Sequence, residues 1–192
     1  MPKTTRPSAK AKKRHSVEKA DLRLARSAAG WRDHPVVRAL GRVSELADQP
    51  QLYTLSAATA VLGIVGGDAK LMRAGIRMLA AEWLATKAKS FLKHHIDRTR
   101  PHVPVDGGPY RFEQGKSHDT ELNSFPSGHT AGAVAVARAY TSEYPEHLTI
   151  ATTLAIGIGL IQLPRGKHYL TDIGVGAAIG LGAGAIVAKR VS

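Results

Sequence analysis

The sequence predicts an all-α protein, a membrane-embedded bundle of about five to six helices. Two observations support this prediction. Several long stretches are rich in apolar residues and either have helical spacing or carry no charge, and no stretch alternates apolar and polar residues as a strand does. The chain has 192 residues, enough for one sizeable core, so we expect a single helical domain over residues 27–192. Cysteine is absent, which excludes disulfides, thiolate metal sites and cysteine nucleophiles.

The first 26 residues are dominated by positive charge. They contain nine Lys or Arg and two Asp or Glu, which is more than half of the net charge of +12. They lack the apolar core of a secretory signal, so we expect a disordered basic arm over residues 1–26 rather than a cleaved leader. Such an arm is often only a solvated tail. Anionic lipid headgroups are the partner that the apolar helices favour, and nucleic acid is not expected.

Three helical stretches follow the arm. Residues 22–47 have a weak apolar pattern that is broken at His34-Pro35, which predicts an interfacial or half-inserted helix. Residues 52–65 are apolar enough to predict a helix. Residues 71–92 combine charged residues with apolar residues at helical spacing, which predicts an amphipathic helix with one face toward a core.

A long polar segment separates these helices from the rest. From His102 to Phe125 the chain is rich in Gly, Pro and polar residues and has no periodicity. This composition predicts one long loop between helices, and loops of this length usually have a function.

Three apolar helices are predicted after the loop, over residues 128–140, 148–163 and 173–188. The last two stretches carry no charge over 16 residues each, slightly less than the roughly 20 residues that span a bilayer. We expect these two to pack as a helical hairpin. Gly176, Gly180 and Gly184 recur at the spacing that lets two helix backbones approach closely.

The first of three polar clusters is KHHIDRTRP, which contains Lys93 and Arg100. These residues are seven apart, about two helical turns, so both cations project from one face if the helix continues that far. Pro101 then ends the helix. Taken alone, the cluster is equally typical of an ordinary helix end, because basic residues favour helix C-termini.

The second cluster is SFPSGHT, directly before the apolar run of residues 131–137. Ser127 can cap the helix, Gly128 lets the backbone come close to a ligand, and His129 stands in the first turn. Exposed N–H groups at a helix start bind anions, above all phosphate. An ordinary cap would explain Ser127, but it would leave Gly128 and His129 without a reason.

The third cluster is PRGKHYLTD, in which His168 and Asp172 are four residues apart. On a helix this spacing makes them neighbours, so the carboxylate can accept the imidazole N–H. The other ring nitrogen would then be free as nucleophile or base. In isolation such a pair is more often structural than catalytic.

Together the clusters supply cations, backbone N–H groups that bind anions, and two histidines. These groups suit phosphoryl transfer that uses no metal ion. In their order and spacing they resemble the type 2 phosphatidic acid phosphatase superfamily, which includes bacterial undecaprenyl-pyrophosphate phosphatases, class A acid phosphatases and vanadium haloperoxidases. The resemblance extends from about residue 50 to residue 188. The matching residues are Lys93, Arg100 and Pro101, then Pro126 to His129, and then His168 and Asp172.

The chain departs from the family pattern at one place. Where the family has Ser-Arg, this chain has Ile161 and Gln162, and the nearest arginine is Arg165, three residues further on. If the segment bends at Pro164 and Gly166, Arg165 would reach the same phosphate from a neighbouring direction.

The resemblance implies that His168 attacks phosphorus to form a phosphohistidine, that Asp172 holds it and that His129 protonates the leaving oxygen. It implies no metal and no cofactor. The residues implied to bind the phosphate are Lys93, Arg100, Ser127, Gly128 and, provisionally, Arg165.

The expected substrate is a lipid phosphate or pyrophosphate of the polyprenyl or phosphatidyl type, and the expected location is a bacterial-type inner or plasma membrane that the chain crosses several times. Two alternatives stay open. One is a soluble or peripheral phosphomonoesterase with the same site. The other is a non-catalytic, anion-binding membrane protein whose site is degenerate at Gln162.

Overall fold

The computed structural model describes residues 9–190, and most of this part of the chain is helical. The all-α prediction is therefore confirmed. The described part contains eight α-helices, more than predicted, because the N-terminal helix and a single turn within the long loop add to the expected set. The helices are α1 Ala9–Ala29, α2 Pro35–Ser44, α3 Gln49–Val65, α4 Ala69–Lys93, α5 His102–Val105, α6 Gly128–Tyr140, α7 Leu148–Leu160 and α8 Leu170–Arg190.

The N-terminal region differs from the predicted disordered arm. Residues 1–8 lie outside the described residues, so binding of the arm to lipid headgroups stays a prediction. Residues Ala9–Ala29 form the helix α1. This helix contacts a residue that is distant in sequence: its Asp21 is buried and forms an ion pair with Arg98. The break predicted at His34-Pro35 separates α1 from α2.

Two short strands, one just before the predicted loop and one within it, occur where the sequence predicted no strand. β1, Ile96–Arg98, pairs antiparallel with β2, Phe112–Gln114, so that Asp97 lies opposite Glu113. Strands of three residues are too short to show a pattern of alternation, which explains why the sequence did not predict them. The two strands hold the residues just before the loop against the middle of the loop, beside the end of α4.

The core forms around α6, on which α4, α7 and α8 pack. A Cβ atom on Gly176 would lie 2.6 Å from the Ser127 carbonyl oxygen, and one on Gly180 would lie 2.5 Å from that of Ala131. The predicted close approach of α8 is therefore confirmed. Its partner is α6, however, and the predicted hairpin of α7 and α8 is wrong because α8 packs mainly on α6 and α4.

The α3–α4 pair forms a second close contact. A Cβ atom on Gly63 or Gly75 would lie 2.2 Å from the backbone nitrogen of Met72 or Ala60 respectively. The predicted amphipathic character of α4 is seen only in part. Its buried side chains recur at helical spacing, but two of them are charged, while the apolar Trp83 and Phe91 are exposed. The buried apolar residues of α4 are Ala74, Met78, Ala81 and Ala85.

Much of the apolar surface of the bundle is exposed. One helix in the described residues, Leu170–Lys189, is long and apolar enough to cross a membrane by length and composition. A chain that crosses the membrane several times needs more than one such helix, so the multi-pass topology stays a prediction. Large apolar side chains are also exposed on α3 and α7, among them Leu62, Val65, Ile150, Leu154 and Ile156.

Candidate active site

A cavity of about 360 Å³ lies where the end of α4, the start of α6 and the segment before α8 meet. Five of the eight predicted site residues line it, whereas Ser127, Arg165 and Asp172 do not. Its lining residues are Asp48, Gln49, Pro50, Lys89, Lys93, Arg100, Gly128, His129, Lys167 and His168.

His168 is held by the backbone of the loop that precedes α6. Its Nδ1 lies 2.6 Å from the carbonyl oxygen of Ser124. A carbonyl oxygen only accepts, so Nδ1 carries the proton and Nε2 keeps a free lone pair. The ring is 3% exposed. Burial and the positive charges of Lys93 and Arg100 hold the pKa of His168 well below its ordinary value of 6.5, so the ring is neutral at pH 7.

Asp172 does not bind His168 directly, contrary to the prediction. His168 Nδ1 lies 4.0 Å from Asp172 Oδ2, too far for a hydrogen bond. Because α8 begins at Leu170, His168 precedes the helix, and the helical neighbour relation does not apply. Asp172 Oδ2 instead accepts hydrogen bonds from the Ser124 hydroxyl at 2.6 Å and from the Tyr169 backbone N–H at 2.8 Å.

His129 projects from the first turn of α6 toward two carboxylates. Its Nε2 lies 2.8 Å from Asp48 Oδ1 and 3.6 Å from Glu45 Oε2. The centroids of the His129 and His168 rings are 6.4 Å apart. His129, Glu45 and Asp48 each offer an atom within 4.8 Å of the others, so they form the one described group able to hold a metal ion.

Ser127 and Gly128 form the start of α6. The Ser127 hydroxyl is fully buried and accepts hydrogen bonds from the Thr130 backbone N–H at 3.4 Å and from the Thr130 hydroxyl at 2.9 Å. Ser127 is therefore a helix cap in this structure, as the simpler interpretation held. Gly128 lines the cavity, and a Cβ atom there would lie 3.4 Å from Lys89 Nζ.

Lys93 and Arg100 reach the same cavity, but they do not share a helix face. α4 ends at Lys93, and the chain then turns into β1 before it arrives at Arg100. Lys93 Nζ donates a hydrogen bond to the Asn123 carbonyl oxygen at 2.8 Å. Arg100 Nε is buried without a partner among the described residues.

Arg165 is engaged beside the cavity, although it was predicted to contact phosphate. Its guanidinium forms an ion pair with Glu45 and donates to the Ser44 hydroxyl at 2.7 Å and to Gln162 Oε1 at 3.3 Å. Lys167, two residues later, does line the cavity, with its Nζ 3.0 Å from Glu45 Oε1.

Sequence reasoning missed three charged residues of the cavity. Lys89 lies four residues before Lys93 on α4, and this spacing on one helix face could have revealed it. Lys167 is adjacent to His168 and belongs to the cluster PRGKHYLTD. Asp48 lies some 80 residues before His129 in the chain, and no local signal connects the two.

Several solved structures are similar to this fold, including the following two. A transmembrane PAP2-type phosphatidylglycerolphosphate phosphatase from Bacillus subtilis superposes with a TM-score of 0.68 at 22% identity, covering 92% of this chain and 88% of that one. LpxE from Aquifex aeolicus superposes with a TM-score of 0.64 at 23% identity, covering 88% and 94%. At these identities the similarity establishes the fold alone.

Sequence comparison finds relatives over shorter regions. Lipid A 1-phosphatase from Porphyromonas gingivalis is 35% identical over 81 residues, which is 40% of this chain and 18% of that protein. Lipid A 1-phosphatase from Rhizobium johnstonii is 32% identical over 91 residues, 47% of this chain and 37% of that protein. The match therefore spans well under half of either relative.

A family model gives the broadest match in sequence. The PAP2 superfamily matches residues 70–192, which is more than half of the chain and includes all three polar clusters. The resemblance drawn from those clusters is thereby confirmed, and the chain belongs to the PAP2 superfamily.

Proposed function

We propose that the protein is a phosphatase that releases phosphate from a lipid phosphate or diphosphate, through a phosphohistidine at His168 and without a metal ion. The observation that carries this proposal is the composition of the cavity, in which two histidines face four basic side chains at the start of a helix. Such a cavity suits a phosphoryl group, whose charge is spread over three oxygens during transfer.

The charge of the cavity supports an anionic ligand. Four of its lining side chains, those of Lys89, Lys93, Arg100 and Lys167, are basic, and Asp48 is the only acidic one among the lining residues. The start of α6 at Gly128 adds backbone N–H groups and the positive end of the helix dipole.

The two histidines would divide the chemistry. His168 Nε2, whose lone pair is free, would attack phosphorus while the bond from phosphorus to the leaving oxygen breaks. Burial and the charge of Lys167 lower the pKa of His129 to about 4, so the negative charge of the bound phosphate would have to raise this pKa. A proton on His129 would then pass to that oxygen and release the lipid product. Water would then attack the phosphohistidine, giving its proton to His129 and releasing inorganic phosphate while His168 is restored. The bound oxygens would be stabilised by the surrounding cations throughout.

An apolar groove favours a lipid over a soluble phosphomonoester. A second cavity of about 400 Å³ lies between α2 and α7 and is lined mainly by apolar side chains, including those of Leu40, Val43 and Leu154. Ser44 lines this groove, and its neighbour Glu45 contacts Lys167 of the phosphate cavity. A lipid could therefore keep its phosphate in the polar cavity and its hydrocarbon part among the exposed apolar side chains.

The names of the related proteins agree with this class of substrate. The two related sequences compared above are lipid A 1-phosphatases, and the Bacillus structure is that of a phosphatidylglycerolphosphate phosphatase. All three act on phosphate groups of lipids. We therefore propose that this chain lies in the membrane, with its cavity near the lipid headgroups.

The test is phosphate release from phosphatidate and from a polyprenyl diphosphate by the purified chain in detergent. We expect turnover that persists in EDTA. His168→Ala should reduce it to background, and His129→Ala should reduce it about 100-fold or more because the leaving oxygen lacks an acid. His118→Ala, which changes a histidine outside the cavity, is the control.

Three results would contradict the proposal. Absence of turnover on every lipid phosphate would leave the non-catalytic alternative. Strict dependence on an added metal would assign the Glu45, Asp48 and His129 group to metal binding. Full activity of His168→Ala with an unchanged circular dichroism spectrum would exclude the phosphohistidine.

A further inference from the structure

Arg98 occupies an unusual position directly behind the cavity. Its side chain is 1% exposed, yet it carries a full positive charge between two carboxylates. Its Nη1 lies 2.5 Å from Asp172 Oδ1, and its Nη2 lies 2.7 Å from Asp21 Oδ2. The guanidinium carbon is 4.0 Å from the centroid of the Tyr169 ring and 4.7 Å from that of Phe112. The charge is therefore fixed in position by salt bridges and by aromatic packing.

This buried charge is connected to His168 through two residues. Asp172 Oδ1 accepts from Arg98, while its Oδ2 accepts from the Ser124 hydroxyl at 2.6 Å. The carbonyl oxygen of the same Ser124 accepts from His168 Nδ1 at 2.6 Å. The orientation of the His168 ring therefore depends on Ser124, and that of Ser124 depends on Asp172 and Arg98.

The far end of the connection is Asp21, which belongs to α1. Asp21 is 5% exposed, and its carboxylate also accepts from the Thr171 backbone N–H at 3.3 Å and from the Thr171 hydroxyl. The Thr171 hydroxyl in turn lies 2.7 Å from Arg98 Nη1. Asp21 precedes the region that matches the PAP2 superfamily, which begins at residue 70.

We propose that Asp21 and Arg98 are positioning residues, through which α1 orients the imidazole of His168 by way of Asp172 and Ser124. The proposal rests on the proposed role of His168 as nucleophile. Asp21 supplies the second negative charge that balances Arg98, so that Arg98 is held between both carboxylates. In this proposal α1 helps to position His168.

Removing the charge of Asp21 without changing its size separates positioning from packing. In Asp21→Asn, Arg98 loses one of its two ion pairs, and its guanidinium shifts toward Asp172. A small displacement of a reacting group is enough to cost about 10- to 100-fold in rate. The cations of the cavity do not change, so binding of the phosphate should be preserved.

The experiment compares the full-length wild type, Asp21→Asn, Asp21→Glu and the control Asp33→Asn, which removes a charge from an exposed residue near the end of α1. We expect kcat of Asp21→Asn to fall about 10-fold or more, with KM and the Kd of vanadate within about 2-fold of wild type. Asp21→Glu should recover part of the loss because it restores the carboxylate. Asp33→Asn should match wild type. Equal kcat in Asp21→Asn and wild type would overturn the proposal.

Thr171→Val keeps the proposal testable if Asp21→Asn fails to fold. This change removes the hydroxyl between Arg98 and Asp21 and preserves side-chain volume, and kcat should again fall with KM unchanged. An unaltered kcat in this variant would refute the positioning role.

A measurement without substrate separates this proposal from the proposed function. The Nδ1–H proton of His168 can be followed by NMR in each variant, and it should shift in Asp21→Asn but not in Asp33→Asn. A shift in a protein that hydrolyses no lipid phosphate would support the connection and reject the phosphatase. Turnover in the wild type with no shift in Asp21→Asn would support the phosphatase and reject the connection between Asp21 and His168.

Discussion

Lys167 and Arg165 lie two residues apart, but of these two only Lys167 lines the cavity that we propose binds phosphate. The Arg165 guanidinium is engaged by Glu45, Ser44 and Gln162. At the scale of single residues, we therefore propose that Lys167 supplies the cation that the family pattern places at position 162.

We expect Lys167→Met to weaken vanadate binding about 10-fold, because a hydrogen bond to a charged group contributes roughly 1.5–3 kcal/mol. Arg165→Lys should stay within about 3-fold of wild type. The control is Lys87→Met, which removes an exposed lysine of α4. Calorimetric titration with vanadate measures all three, and a larger loss in Arg165→Lys than in Lys167→Met would return the role to Arg165.

A second prediction at this scale concerns the protonation of His168. Burial and the nearby cations Lys93 and Arg100 lower its pKa well below 6.5, so the neutral form persists as the pH falls through that value. A histidine NMR titration, assigned with His168→Gln, should therefore give a midpoint well below 6.5. Lys93→Gln should raise the midpoint because one repelling charge is gone. A midpoint at or above 6.5 in the wild type would contradict this account.

At the scale of the helices, the contact between α6 and α8 depends on glycine. Gly180 has no space for a side chain, whereas a Cβ atom on Gly182 of the same helix would meet nothing within 4 Å. Gly180→Ala should lower the free energy of unfolding by about 1–3 kcal/mol through overpacking. The control, Gly182→Ala, should be neutral or should stabilise by up to about 1 kcal/mol through helix propensity. Denaturant titration followed by circular dichroism compares the two, and equal stabilities would exclude the close packing.

The groove between α2 and α7 provides a second prediction for the helices. Gly157 lines it, and a Cβ atom there would meet nothing within 4 Å, so we expect the side chain of Gly157→Leu to project into the groove. KM for a long-chain lipid phosphate should rise about 10-fold, while a short-chain soluble ester should be unaffected, because only the long chain needs the groove. Gly182→Leu controls for adding leucine to an open glycine site. Equal effects on both substrates would place the lipid tail elsewhere.

For the whole molecule, the exposed apolar side chains of α3, α7 and α8 predict that the protein is integrated in a membrane. The protein should stay in the membrane fraction after a carbonate wash and leave it only with detergent. Recovery in the soluble fraction without detergent would favour the soluble phosphomonoesterase.

Several features of this protein could be predicted from local patterns. The long apolar stretches predicted α3, α4, α6, α7 and α8 with ends within a few residues, because helix periodicity and capping depend on near neighbours in sequence. Motif spacing predicted five residues that line one cavity. Arg98 shows the limit of such reasoning, because KHHIDRTRP gave it no role distinct from the other basic residues.

The sequence by itself determined the helical class, the family and five of the residues that line the cavity. Only the tertiary structure decided which groups meet: Ser124 rather than Asp172 holds His168, and Lys167 rather than Arg165 lines the cavity. It also placed α1 against the rest of the molecule, since Asp21 pairs with a residue 77 positions away. The physical reason is that hydrogen bonds and ion pairs form between side chains brought together by packing, and contacts between distant residues leave no periodic trace in the sequence.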